Sequence, residues 1–211
     1  MAGERQIRRV AVALFEGFTV LDVYGPVQAF ASCRLMQADG TPERLYRMFT
    51  VGERPGPVSA GEGTATVVEH AFADAPPHDI LLIPGGFGTR RAVSDQGFLK
   101  QLAAATERAT VTTTVCTGSA LLARTGLLDG RPATSNKLAW DWVIQQGPNV
   151  RWQRRARWVD DGNVLTSSGV SAGIDMALSL VERLNGRDMA VASARNMEYV
   201  WNADPANDPF G

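Results

Sequence analysis

The chain has only two histidines and two cysteines among its 211 residues. His70, His78, Cys33 and Cys116 stand far apart, so neither a CxxC metal pattern nor a disulfide framework can be drawn, and no structural metal is expected. An excess of either charge is missing too: 21 Lys and Arg face 22 Asp and Glu, for a formal net charge of −1. A general electrostatic pull toward nucleic acid or anionic lipid is thereby removed, and neither is expected as a partner. No apolar run approaches the roughly 20 residues that cross a bilayer. Met1 to Gln6 shows no basic segment leading into a signal-peptide core, and a cytoplasmic location is the resulting expectation.

What is present is ordinary globular composition, 45% hydrophobic and 20% charged, in a length that suits one sizeable core. We expect a single domain over residues 1–211, with its core at about 8–185 and a C-terminal helix and tail at 187–211. Ile7 to Phe15 reads as a buried first strand, and Leu21 to Met36 as a helix with Asp22 near its start and Pro26 in about its first turn. Tyr46 to Val51 is a second strand, and Pro57 to Phe72 one or two strands broken by turns. Ile80 to Ile83, continuously apolar, fits a strand buried on both faces. Leu99 to Arg108 is an alanine-rich helix, Thr110 to Val115 a strand, and Thr117 to about Arg124 a helix. Lys137 to Gln146 is helical in pattern. Val150 to Trp152, Ala156 to Asp160 and Asn163 to Ser167 read as strands, the last two joined through Asp161-Gly162. Ser171 to Leu184 and Arg187 to Trp201 read as helices, and composition assigns no role to Asn202 to Gly211. Alternation of strands and helices implies an α/β fold, a mostly parallel sheet with helices on both faces.

Cys116 lies where the β-branched run Thr-Thr-Thr-Val stops and the small-residue run Thr-Gly-Ser-Ala begins. That places a thiol on a strand-to-helix turn, where free N–H groups and the helix dipole favour thiolate. Free cysteine is often a simple core residue, but α/β sheets carry their chemistry beyond the carboxyl ends of strands. Four loops should converge there: Glu16 to Asp22, Gly85 to Gly88, Cys116 to Ser119 and Ser168 to Ser171. Gly85 and Gly86 leave backbone N–H groups bare for a developing negative charge, unless they form no more than a tight turn. His78 precedes Ile80 to Ile83, at the edge of the sheet opposite Gly85-Gly86 and more than ~13 Å away. Nothing directs His70 toward Cys116, so a Cys-His pair is not expected. The acid candidates are Asp22, with helix capping as its alternative role, and Glu16. Thr117 offers a backbone N–H and a hydroxyl for water or substrate, or a helix cap. Phe18 and Phe87 are candidates for an apolar pocket wall.

Taken together, Leu21-Asp22-Val23-Tyr24-Gly25-Pro26, Ile83-Pro84-Gly85-Gly86-Phe87-Gly88, Val115-Cys116-Thr117-Gly118-Ser119, Gly126 to Arg131 and Ser168 to Asp175 resemble the ThiJ/PfpI superfamily. More narrowly they resemble its isonitrile hydratase branch. The resemblance implies a flavodoxin-like, doubly wound sheet of the class I glutamine amidotransferase kind, a cysteine at a nucleophile elbow and a homodimer. It further implies that Cys116 attacks an isocyanide carbon to give a thioimidate, that Asp22 handles protons and water, and that Thr117 assists. A backbone N–H from Gly169-Val170 would lie near the sulfur. The product would be an N-substituted formamide, formed without a metal or organic cofactor. One departure stands out: the hydratases often have Thr-His-Trp where this chain reads Ser135-Asn136-Lys137, so the pocket or a dimer contact there differs. Competing readings are a glyoxalase or deglycase-like activity on reactive carbonyls and a non-enzymatic redox-responsive protein.

Overall fold

The computed structural model describes residues 7–211. In chain order the elements are β1 (Arg8–Ala13), α1 (Val20–Ala31), β2 (Arg34–Met36), β3 (Pro42–Arg44), β4 (Tyr46–Gly52), β5 (Gly56–Ser59), β6 (Ala65–Val68), β7 (His70–Ala71), β8 (Ile80–Ile83), α2 (Thr89–Ala92), α3 (Gln96–Arg108) and β9 (Val111–Thr114). There follow α4 (Gly118–Arg124), β10 (Pro132–Ala133), α5 (Trp140–Gln146), β11 (Arg151–Trp152), β12 (Trp158–Asp161), β13 (Val164–Ser167), α6 (Ala172–Asn185) and α7 (Arg187–Asn196).

The central sheet runs β12-β13-β9-β8-β1-β4-β7. All neighbours are parallel except β12, which forms an antiparallel hairpin with β13. Its five inner strands, β4-β1-β8-β9-β13, follow the flavodoxin-like order 2-1-3-4-5, which reverses between β1 and β8 and opens a crevice at their carboxyl ends. Helices α1, α6 and α7 pack on one another, while α2, α3 and α5 gather around α4. Two helical layers therefore enclose the sheet, and all four residues of both β8 and β9 are buried. In threonine-rich β9, Thr113 Oγ1 donates to the Leu81 carbonyl at 3.1 Å, whereas the buried Thr114 Oγ1 finds no partner among the described residues. Among the described residues no helix is long and apolar enough to cross a membrane.

The helix expected over Leu21 to Met36 ends at Ala31. Gly40, at φ +83°, and Asp39, whose Oδ1 accepts the Thr41 N–H at 2.9 Å, build a turn that pulls Arg34–Met36 into a hairpin with Pro42–Arg44. Pro26 sits well past the first turn, where its ring faces Gly173 of α6. The hairpin joining β12 and β13 turns on Gly162-Asn163, since Asp161 pairs with Val164 and Gly162 takes φ +75°. The expected Lys137 to Gln146 helix begins only at Trp140, because Asn136 Oδ1 accepts the Ala139 N–H at 2.9 Å and Lys137 turns inward. The last helix stops at Asn196: Glu198 adopts φ +51° and redirects the chain.

That redirection docks the tail. Tyr199 Oη and the Asn202 N–H both donate to Asp175 Oδ1, whose partner Oδ2 receives two hydrogen bonds from Arg157 at 2.8 and 2.5 Å. Further along, the Arg157 N–H donates to the Pro205 carbonyl and Asp208 approaches the buried Lys137 Nζ at 3.5 Å. Burial holds the Lys137 ammonium down, to a pKa of about 8, although Asp208 favours its charge.

Candidate active site

Asp22, Gly85, Cys116 and Val170 follow β1, β8, β9 and β13, so the sheet order brings them to one rim. Backbone bonds lace the loops together: the Thr19 N–H donates to Gly85, the Gly88 N–H to Gly17 and the Cys116 N–H to Ser168. Glycine is required at 85, where a Cβ would lie 2.5 Å from the Thr117 nitrogen and 2.9 Å from the Cys116 Cβ. The strand before Cys116 and the helix after it are thus pressed against the end of β8.

Cys116 adopts φ +57° and Val170 φ +42°. Left-handed backbone is costly for any residue with a Cβ and more so for a β-branched one. Two such residues at one rim mark stored strain of the kind found at functional sites. Their conformation is held from behind. Ser135 Oγ donates to the Cys116 carbonyl at 2.8 Å and Ser119 Oγ to the same oxygen at 3.2 Å.

The electrostatics differ from the thiolate expected at a helix start. Burial, and then the charge of Asp22, push the Cys116 thiol up to about 12, against the backbone N–H groups of Thr117 and Val170 and the side-chain amide of Asn136, which favour the anion. A seven-residue α4 with its dipole cannot offset that desolvation. Asp22 is fully buried, and burial raises its carboxyl to about 7 even though the Gly85 N–H donates to Oδ2 at 2.9 Å. Among the described residues its Oδ1 has no hydrogen-bond partner. Asp22 and Cys116 perturb each other: the thiol favours the carboxylate as a side-chain partner, while the carboxylate charge disfavours the thiolate.

Several expected roles change. Asp22 is not the helix cap; Thr19 stands at that position and Asp22 belongs to the first turn of α1. The Gly85 N–H is engaged by Asp22 and the Gly86 N–H by Thr117 Oγ1 at 3.0 Å, so neither is free to meet a substrate oxygen. Thr117 makes no side-chain cap; its hydroxyl is enclosed by Gly86 and by Thr89, whose Oγ1 donates to it at 3.1 Å. Glu16 turns from the thiol and accepts the Ser59 N–H at 3.0 Å. Glu62 is the carboxylate that reaches α1, accepting the Val20 N–H at 3.2 Å and raising Asp22 by its charge. Phe18 is wholly buried in the core and Phe87 is 87% exposed, so neither forms an enclosed wall. His78 is bonded between the Pro76 and Ala105 carbonyls. His70 lies on β7, four strand spacings from β9, about 19 Å.

Ser135 and Asn136 stand out in the sequence only as part of the departure from Thr-His-Trp, and nothing there singles out Arg90. Arg90 stacks on Trp142 at 3.3 Å and lies close enough to Cys116 for a thiolate there to favour its charge. No local pattern announced these, since each reaches the site across the fold. A groove of about 560 Å³ lined by Phe15, Glu16, Arg54, Gly88, Arg91 and Phe98 lies beside this rim and does not contain Cys116. The cysteine itself is only 6% exposed. No group of three or more His, Cys, Asp or Glu able to hold a metal occurs among the described residues.

Residues 8–183 match the model of the DJ-1/PfpI family. The chain belongs to that family. It is 31% identical over 191 residues to an isonitrile hydratase of Pseudomonas putida, a match covering 90% of this chain and 78% of the relative. It is also 32% identical over 179 residues to the HTH-type transcriptional regulator CdhR of Pseudomonas aeruginosa, covering 84% of this chain but only 51% of the regulator. The chain thus spans about half the length of that relative. The crystal structure of a ThiJ/PfpI family protein from Pseudomonas syringae superimposes with a TM-score of 0.80 at 32% identity, over 93% of this chain and 77% of the other. Family membership agrees with the flavodoxin-like sheet order, and it embraces enzymes and regulators alike.

Proposed function

We propose that this chain is a cysteine enzyme that hydrates an isonitrile to an N-substituted formamide. The observation that carries the reading is the pairing of the left-handed, buried Cys116 with a fully buried Asp22 whose Oδ1 is open, with neither histidine at the rim. Similarity to an isonitrile hydratase supports the choice of substrate. With a thiol held near 12 and a carboxyl near 7, the form present above neutrality is thiol with carboxylate. Asp22 takes the thiol proton as sulfur bonds to the isocyanide carbon, then returns it to that carbon, giving Cys–S–CH=N–R with no atom lost. Water next adds across the C=N bond with Asp22 as its base. The tetrahedral adduct collapses to H–CO–NH–R and expels the thiolate, which regains its proton.

Leu21, Tyr24, Phe87 and Leu138, carried on the segments around the site, are exposed apolar side chains suited to an apolar R group or to a second protomer. The proposal therefore includes a homodimer, checked by sedimentation equilibrium. The activity is tested by turnover of alkyl and aryl isocyanides beside methylglyoxal, with parent and Cys116→Ala. Formamide from the parent alone is expected, with kcat/KM rising with pH through about 7 as Asp22 ionises. Intact mass should show an adduct equal to the whole isocyanide. Lactate from methylglyoxal without formamide, or activity retained by Cys116→Ala, refutes the proposal.

A further inference from the structure

We propose that Asn136 is a catalytic residue whose side-chain amide donates a hydrogen bond to the Cys116 sulfur and supports its negative charge during attack. The inference rests on the reading of Cys116 as nucleophile. Its orientation is fixed by two contacts at opposite ends of the carboxamide. Oδ1 accepts the Ala139 N–H at 2.9 Å, so the oxygen is committed to the start of α5 and Nδ2 must point the other way. On that side lies Gly169, so close that a Cβ there would sit 2.5 Å from Nδ2. Gly169 is next to Ser168, whose carbonyl accepts the Cys116 N–H at 3.1 Å, and Val170 presents its N–H to the sulfur. Ser135, one residue before Asn136, is itself bonded to the Cys116 carbonyl.

Asn136 is thus held in register with the nucleophile by its neighbour, by its own oxygen and by the absence of a side chain at 169. Together with the N–H groups of Thr117 and Val170 it forms a three-donor cradle. Other charges face the thiol: Asp22 from α1 disfavours its anion, and Arg90 from α2 lies on the opposing side of the balance. An amide neither takes nor gives a proton near neutrality, so proton transfers in this site fall to Asp22 while Asn136 supplies a fixed dipole. The thiolate expelled at the end of the cycle meets the same cradle, which limits its recapture of the product.

The test is the rate of Cys116 alkylation by iodoacetamide in the full chain at about pH 8, read by peptide mass so that Cys33 does not contribute. Loss of one hydrogen bond to a charged acceptor should slow Asn136→Ala about tenfold or more. Asn136→Asp preserves shape and the Ala139 bond but turns the donor into an anion, and should be slower still. Gly169→Ala displaces the amide without altering it and should lower the rate in the same direction. Thermal unfolding is followed for each variant, and alkylation is compared only among those that remain folded. Parent-like alkylation in any folded variant of the three overturns the proposal. Alkylation does not require an isocyanide, so slowed labelling in an enzyme that hydrates no isonitrile would refute the proposed substrate and leave the cradle standing.

Discussion

The substitution Asp22→Asn should stabilise the protein while abolishing its chemistry. The fully buried carboxyl is raised from its ordinary 3.8 to about 7, mainly by burial. Carrying a carboxyl over that interval amounts to about 4 kcal/mol at about 1.36 kcal/mol per pH unit. The sign follows from proton binding. Between 3.8 and about 7 the folded state holds a proton that the unfolded state has released, so stability falls as pH rises through this window. Below 3.8 both states are protonated and the difference vanishes; above about 7 the full cost of the buried charge is present. The introduced carboxamide would still accept the Gly85 N–H through its oxygen, and its NH2 would occupy the place of the partnerless Oδ1. The variant should therefore melt higher than the parent near pH 8, by up to roughly 8–16 °C for a chain of this size. That gap should shrink steadily toward pH 4. Scanning calorimetry across this range, beside isocyanide turnover, checks both halves. A variant no more stable than the parent at pH 8, or a gap unchanged by pH, would show that Asp22 carries no buried charge worth relieving.

Gly85→Ala should destabilise by about 3 kcal/mol, a melting drop of roughly 6–12 °C, because the new Cβ meets backbone at Thr117 and the Cys116 Cβ rather than a movable side-chain end. Turnover should fall with it, and a parent-like melting curve would contradict the close packing of β8 against this turn. Asp175→Asn should cost about 3–5 kcal/mol by leaving the buried Arg157 without its counter-charge and loosening Tyr199 and Asn202. Limited proteolysis should then cut the tail first, and unchanged protection would remove the anchoring role given to Asp175.

Much of the framework was legible because period and burial speak locally. Ile80–Ile83 is a four-residue apolar run bounded by turn residues, and β8 has those bounds. Cys116 could be placed on its turn because a β-branched run ends where small residues begin. The charge state of the thiol could not be read this way, since desolvation and the Asp22 field come from the folded surroundings. Gly85 and Gly86 show a similar limit. Bare N–H groups in a sequence carry no sign of whether a partner from α1 or from the turn before α4 will claim them. The early end of α1 is not legible locally, because apolar spacing continues past Ala31 while the Asp39-Gly40 turn pulls the following residues into a hairpin.

The buried contact between Lys137 and Asp208 joins positions 71 residues apart in the chain. Lys137 immediately follows Asn136, so residues 202–211 are physically coupled to the wall of the cysteine site. Recombination between relatives that exchanges residues 202–211 without position 137, or the reverse, would strand a buried ion from its counterpart at a cost of about 3–5 kcal/mol. Crossover points in chimeric libraries should therefore keep both ends of this pair from the same parent.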